Sequence, residues 1–387
     1  MSDFAVVYTD LPDSEKAGHA LGLQIREAML PRPDAIIVFA TSLYDHATLL
    51  RALRKACDPE MLVGCSSAGK FTTDAHGGGL ASALAISSRE MEFSAGIGRD
   101  VSCDRRAAAE QVVSSFRGLK NQDYHYRTAL VLIDARSGLS EAFIEDLALR
   151  TKGAYQFFGG GAGDNAQFQY TPVFYNEEVV SDGVVALEIL SDKPLGIGVR
   201  HGWQPMGEEM HVTASSGTLL LSLDDRPAVE AFKAYASETG QKFNPETPMP
   251  FFLHNLIGVD TGTGYKLRVP LHVNADGSIL CVADIPRNAR VKIMGSNTIS
   301  TTEAARAATI AALQKLCGAK PGIALFFDCV ATRLRMGYEF GQELGAVQDT
   351  LGSARYVCCN SHGQIARAQG QFSGFHNCTA VVCVFPE

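Results

Sequence analysis

The sequence predicts an α/β protein of two repeated halves, each with a central mixed β-sheet flanked by helices. Three observations predict it. Apolar runs at Asp34–Thr41 (DAIIVFAT), Thr128–Ala135 (TALVLIDA) and Gly322–Cys329 (GIALFFDC) read as strands covered on both faces, because such strands lose the in–out alternation of a half-exposed sheet. Each run is followed by a stretch of helical character, a second short strand and a glycine-containing turn: Gly64–Lys70 (GCSSAGK), Gly159–Asp164 (GGGAGD) and Cys358–Gln364 (CCNSHGQ). The spacing repeats as well. From Ala40, Asp134 and Asp328 at the strand ends to Gly69, Gly163 and Gly363 in the turns, the separations are 29, 29 and 35 residues. A period of roughly 95 residues is too long for a solenoid and reads as duplicated α/β units packed together.

The elements follow in order. A further apolar strand comes after each turn, at Gly79–Ser87, Gly183–Leu190 and Asn377–Phe385. Leu49, Leu50, Leu53 and Ala56 recur at helical spacing, as do Phe143, Leu147 and Arg150 behind Ser140 and Glu141, which suit a cap and a dipole partner. Thr302–Leu316 is the clearest helix, with Thr301 or Thr302 in front and Gly318 behind. Turn residues at Ser191–Pro194 mark a boundary that divides the chain into 1–193 and 194–387. Beyond it, Leu195–Trp203, Met210–Ala214, Leu253–Asp260, Lys266–His272 and Ile279–Val282 read as strands, with a hairpin turn at Asp276-Gly277. A helix opens at Pro227, and the polar, proline-bearing stretch 237–250 reads as a loop.

Composition narrows the function. With 46% apolar and 20% charged residues, the chain has a core to bury, which excludes a disordered or low-complexity protein. The net charge is -8, and no basic stripe stands out, so nucleic acid is not an expected partner. No run reaches the ~18 apolar residues of a membrane helix, and Met1-Ser2-Asp3-Phe4 is no secretory signal, so a cytoplasmic location is expected. The ten cysteines sit in apolar runs with no CxxC pair, as reduced, buried thiols do.

The glycine turns could cradle a phosphate, but no Gly-Lys-Ser/Thr follows and Asp164 would repel one. A tight turn needing positive φ or close packing is the better account. Cys65 and Cys359 occupy equivalent turn positions and offer a nucleophile, although cysteines in such strands are more often packing residues. Ser66 and Ser67 lack the GxSxG elbow of hydrolases.

Two stretches, Val63–Lys70 (VGCSSAGK) and Phe158–Asp164 (FGGGAGD), together resemble the N-terminal half of FIST (F-box and intracellular signal transduction) sensory domains. His201–Gly207 (HGWQPMG), Val212-Thr213 and Asp224–Ala228 (DDRPA) resemble the opening of the FIST C-terminal half, followed by Arg268, Phe326–Cys329, Arg333, Gly337, Gly363–Ile365 and Phe375–Thr379. The chain departs from the family where an acidic residue usually follows the turn glycine: Lys70 and Gln364 stand there. The resemblance implies cytoplasmic sensing of a small molecule such as an amino acid. It also implies similarity to stand-alone members that bind haem, sense nitric oxide and regulate a separate sensor histidine kinase in trans.

A haem needs an apolar slot, a neutral imidazole and cations for its propionates. On that implication His254 is the expected iron ligand, set in PFFLHNLI beside Phe251 and Phe252, with Arg268 as a propionate partner and His201 as a pocket residue. His362 and His76 are further candidates, whereas His376 suits a structural role. The bland alternatives are a hydrogen-bonded core histidine and a solvated arginine face. The cavity is expected in the C-terminal half or between the halves. Three functions are therefore carried forward: a haem-based nitric-oxide sensor, a cofactor-free small-ligand (amino-acid) sensor, and a Cys-dependent enzyme. Homo-oligomerisation is left open.

Overall fold

The computed structural model describes residues 2–74, 76–77, 81–121, 123–367 and 374–387; the side chains of Lys70, Phe71 and His76 lie outside that description, as do residues 79 and 80 of the expected strand Gly79–Ser87. The fold is α/β, with mixed sheets flanked by helices in both halves of the chain.

Three six-stranded sheets share one plan. The first runs Ser2–Thr9, Ala81–Ser88, Ala35–Ala40, Met61–Ser66, Val173–Tyr175, Glu178–Val180. The second runs Phe375–His376, Gln364–Arg367, Gln156–Gly161, Tyr126–Ile133, Val184–Ser191, Met91–Gly98. The third runs Gly196–Arg200, Ala380–Pro386, Pro321–Cys329, Arg355–Ser361, Lys70–Thr72, His76–Gly77. Each contains one parallel pair: Ala35–Ala40 with Met61–Ser66, Tyr126–Ile133 with Gln156–Gly161, and Pro321–Cys329 with Arg355–Ser361. Parallel neighbours need a crossover, and each pair has its helical connection, His46–Cys57, Ser140–Arg150, or Val330–Met336 with Phe340–Leu351. These are the three repeats read from the sequence.

The sheets exchange strands in a closed cycle. The strand after the first turn, Lys70–Thr72, pairs with Arg355–Ser361 of the third sheet. Val173–Tyr175, beyond the second turn, pairs with Met61–Ser66 of the first, and Gln364–Arg367, after the third turn, pairs with Gln156–Gly161 of the second. The three inner faces bury one common core, in which Phe39, Phe158 and Phe327 come one from each repeat. The Phe327 ring meets Phe39 edge-on at 5.9 Å and Phe158 at 6.3 Å. The outer faces pack separately against helices, which is why the strands are apolar throughout.

The link 192–195, where the boundary at 193/194 was drawn, joins the second sheet to the third. Between Gly196–Arg200 and the helix Thr298–Gln314 the chain inserts a nine-stranded sheet with its own core around Phe232, Phe251, Phe252 and Ile257. The hairpin at Asp276-Gly277 is present, with Gly277 at φ 82°. Several local expectations are corrected. Met249–Phe252 is a helical turn, so the expected strand Leu253–Asp260 begins only at Leu256. Lys266–His272 is two strands, Tyr265–Arg268 and Pro270–Val273. The helix at Thr302–Leu316 starts earlier, at Thr298, because Asn297 and Ser300 form a reciprocal cap. Leu139, not Ser140, occupies the cap of Ser140–Arg150, and its side chain makes no capping bond. The expected loop 237–250 loses its first residues to the helix Ala228–Thr239 and its last two to the turn beginning at Met249. Among the described residues no helix is long and apolar enough to cross a membrane.

Candidate functional site

The three glycine turns meet at the centre of the ring and bond to one another. Gly163 N–H donates to Ser66 O at 3.0 Å, Ala68 N–H to Asn360 O at 3.0 Å, and Gly161 N–H to Gly363 O at 2.9 Å. Each turn thus satisfies backbone groups of the other two. Glycine lets the backbones come this close: a Cβ on Gly161 would fall 2.5 Å from His362 O, and one on Gly160 2.9 Å from Ser361 Cβ.

This hub is buried yet polar. Asp164 orders its own loop, accepting from the N–H groups of Phe168, Gln169 and Tyr170 at 2.6–2.9 Å. Gln364 is also satisfied, by Ser361 Oγ and by Thr379 N–H. Others are not. Among the described residues neither oxygen of Asp328, neither side-chain polar atom of Asn360, nor Ser66 Oγ, Asn377 Oδ1, Glu343 Oε2 or His362 Nδ1 has a hydrogen-bond partner. Such atoms are where a bound molecule gains most. Burial pushes the Asp328 and Glu343 carboxyls well above their ordinary range, and Glu343 adds its repulsion to Asp328, against the opposing pull of Arg335.

An apolar cleft opens onto this hub. Met249, Leu253, Val269, Leu271 and Val282 of the inserted segment form one wall; Cys329, Val330, Ala331 and Leu334 form the other; Ala166, Phe168, His362, Gly363 and Asn377 close it. It admits a water-sized sphere over only about 40 Å³. His362 is the key polar group. Its side chain is fully buried, its ring lies 4.2 Å from Phe168, and its Nε2 accepts from Ala166 N–H at 3.3 Å. Burial drives its pKa down despite Asp164 at 3.7 Å, so the ring is neutral and carries its proton on Nδ1, assigned from the Nε2 bond.

The residues expected to hold a haem do not converge on this cleft. His254 is exposed and is not among its walls. Phe251 and Phe252 are core residues of the inserted sheet, packed on Phe243 at 4.7 Å and Phe232 at 5.2 Å. Arg268 is buried and committed to Glu141 Oε2 at 2.6 Å and Asp284 O at 2.6 Å. His201 uses both ring nitrogens, donating from Nε2 to Tyr265 O and accepting at Nδ1 from Trp203 N–H. These residues do not fit a haem, and a cleft in which the centre of a water-sized sphere has only about 40 Å³ to move does not admit the macrocycle in this arrangement. Cys65 and Cys359 pack in the core common to the three sheets. Among the described residues no group of three or more His, Cys, Asp or Glu is placed to hold a metal ion.

Asp328, Glu343, Asn360 and Asn377 were not singled out from the sequence. Glu343 carried a signal, since it shares a helical face with the buried Phe340 and Val347, where a charge is out of place.

Family comparison places the chain. The FIST N domain model matches residues 34–226 and the FIST C domain model matches residues 228–367. The chain belongs to the FIST family, whose domains are sensory and bind small ligands. No curated protein matches it. Among solved structures it is similar to cyanuric acid hydrolase from A. caulinodans, at 10% identity over 100% of this chain and 99% of that one, with a TM-score of 0.34. It is also similar to PurLQS from Thermotoga maritima, at 13% identity over 99% and 72%, with a TM-score of 0.25. Likeness at that level supports no inference about chemistry.

The buried carboxyl at Glu343 gives a pH test. Its folded pKa is raised above the unfolded value, so the folded state holds more protons and stability is lost as pH rises from the ordinary glutamate range through the folded pKa. Glu343→Gln is expected to gain about 1–3 kcal/mol over wild type as the pH is taken from 5 to 8. Urea unfolding at the two pH values measures it, and an unchanged difference contradicts the assignment.

Proposed function

We propose that the chain is a cofactor-free sensor of a small amphiphilic molecule, with free amino acids as the leading class, that seats between the inserted sheet and the hub and reports to a separate signalling partner. The single observation that carries this reading is His362: a neutral, fully buried imidazole at the cleft, with Nδ1–H lacking a partner among the described residues. Asn377 Oδ1 on the same cleft is an acceptor without a partner. A donor and an acceptor among apolar walls suit a ligand with an apolar body and one polar end.

Sensing follows from the cleft's construction. Its walls come from the inserted segment and the helix after Cys329, and they meet in one apolar cluster in which Val269, Leu271 and Val282 pack with Cys329 and Ala331. A ligand that wedges between them favours an open arrangement over the closed one, and that differential affinity shifts the population. Haem-borne nitric-oxide sensing is the competing reading. It would need the cleft to open far enough for a macrocycle and an imidazole other than His254 or His201.

The test is a thermal-shift screen of the full chain with the twenty L-amino acids and, separately, with haemin followed by absorption spectroscopy. Expected are a raised Tm with one or a few amino acids carrying apolar side chains, its loss in Ala331→Trp, which obstructs the cleft, and no Soret band of a coordinated haem. A stoichiometric Soret band that shifts with nitric oxide would replace this reading with the haem sensor.

A further inference from the structure

The geometry points to Cys329 and Cys378 as a dithiol that hydrogen peroxide converts to a disulfide at the wall of the cleft. Cys329 closes the strand Pro321–Cys329, and Cys378 stands two residues before Ala380–Pro386, the antiparallel neighbour of that strand. Both thiols are therefore delivered to the same end of one strand pair. Their sulfurs lie 4.0 Å apart, with the Cys378 thiol donating to Cys329. A disulfide requires the sulfurs to close from there to ~2.05 Å.

Three further features separate this pair from ordinary packing cysteines. Cys378 holds a left-handed backbone, φ 46°, a conformation costly for a residue with a Cβ and kept only where the surroundings enforce it. Cys329 lines the cleft, so an oxidant little larger than water has a route to an otherwise buried sulfur. The Cys329 thiol is also held down at about 6, chiefly by the hydrogen bond from Cys378, with backbone N–H groups of Cys378 and Ala331 behind it, which favours the thiolate. Cys378, the donor, is pushed well above the ordinary value by that same bond and by burial, and burial alone does so at Cys383, so Cys329 is the thiol of the pair set to react first.

The chemistry balances. The Cys329 thiolate attacks one oxygen of the peroxide, the O–O bond breaks, and hydroxide leaves, giving a sulfenic acid. The Cys378 sulfur then attacks the Cys329 sulfur; the S–S bond forms, the S–O bond breaks, and the second oxygen leaves as water. Two thiols lose two electrons and two protons, and one peroxide becomes two waters. The crosslink ties the start of the helix Val330–Met336 to the segment carrying Asn377, so it changes the cleft whatever ligand occupies it.

The experiment uses the full chain with the exposed Cys103 and Cys317 replaced by serine, leaving eight of the ten cysteines. After treatment with hydrogen peroxide, the protein is denatured, alkylated and mapped by peptide mass spectrometry without reduction. Expected are a loss of two alkylatable thiols, a linked peptide pair containing Cys329 and Cys378, and full recovery with dithiothreitol. In Cys378→Ser the reaction should stop at a sulfenic acid on Cys329 that dimedone traps. Eight alkylated thiols after treatment, or a disulfide between other residues, would overturn the proposal. The result does not depend on the identity of the sensed ligand, and failure of the ligand screen leaves it standing.

Discussion

Replacing Glu141 with alanine is expected to destabilise the chain by about 3–5 kcal/mol, the cost of taking from the buried Lys266 and Arg268 the carboxylate they share. Glu141 lies on the helix Ser140–Arg150, outside the inserted sheet, and reaches Lys266 and Arg268 within it. The Arg268 side chain is 2% exposed and that of Lys266 13%, so water replaces the lost carboxylate poorly. Burial already pushes the Lys266 pKa down, with Glu141 opposing that push, so without Glu141 the lysine sheds its proton more readily. Arginine has no such escape, and among the described residues Arg268 keeps the Asp284 and Leu267 carbonyls as acceptors. The double variant Glu141→Leu/Arg268→Met should recover much of the loss, because an apolar pair of similar volume replaces the ions. Equilibrium urea unfolding at pH 7 decides it. A loss below about 1 kcal/mol would show that this clamp does not hold the inserted sheet.

Gly363→Ala is the second large effect, about 2–4 kcal/mol, set against smaller losses at the other two turn glycines. Gly363 has φ 93°, and a Cβ there would land 2.0 Å from the Phe375 ring. The ring is buried, so neither backbone nor neighbour can yield cheaply. Gly69 would instead meet the end of the Arg333 side chain, and Gly163 would meet Ala68 N at 3.1 Å. Denaturation of the three alanine variants should therefore rank Gly363 as the most sensitive. Equal losses at all three would mean that the turns are held by their shared sequence pattern rather than by these contacts.

The repeat was legible because strands covered on both faces, such as Ala35–Ala40 and Tyr126–Ile133, leave an uninterrupted apolar signature, and because the turn glycines keep near-constant spacing. The cyclic strand exchange was not, since Lys70–Thr72 meets Arg355–Ser361 from far along the chain and no local pattern encodes that partner. At the site, the apolar company of His254 in PFFLHNLI reads as a slot for a flat cofactor, whereas Phe251 and Phe252 build the core of the inserted sheet. The chain turns after Phe252, and His254 falls outside the core that its neighbours build. Arg268 shows the converse. Its strand position was visible, yet its partner Glu141 is 127 residues away on another helix. Asp328 stood at the end of an apolar run, but only the neighbouring Glu343 and the orphaned Asn360 make its burial a site.

The most direct measurement of the central claim is calorimetric titration of the full chain and of His362→Phe with the amino acid that gives the largest thermal shift. His362→Phe keeps the ring against Phe168 and deletes the Nδ1 donor at the cleft. Saturable 1:1 binding to the wild type, weakened at least tenfold by the substitution while the fold is retained, is the expected outcome. Equal affinity for both proteins would place the sensed molecule elsewhere and contradict the account.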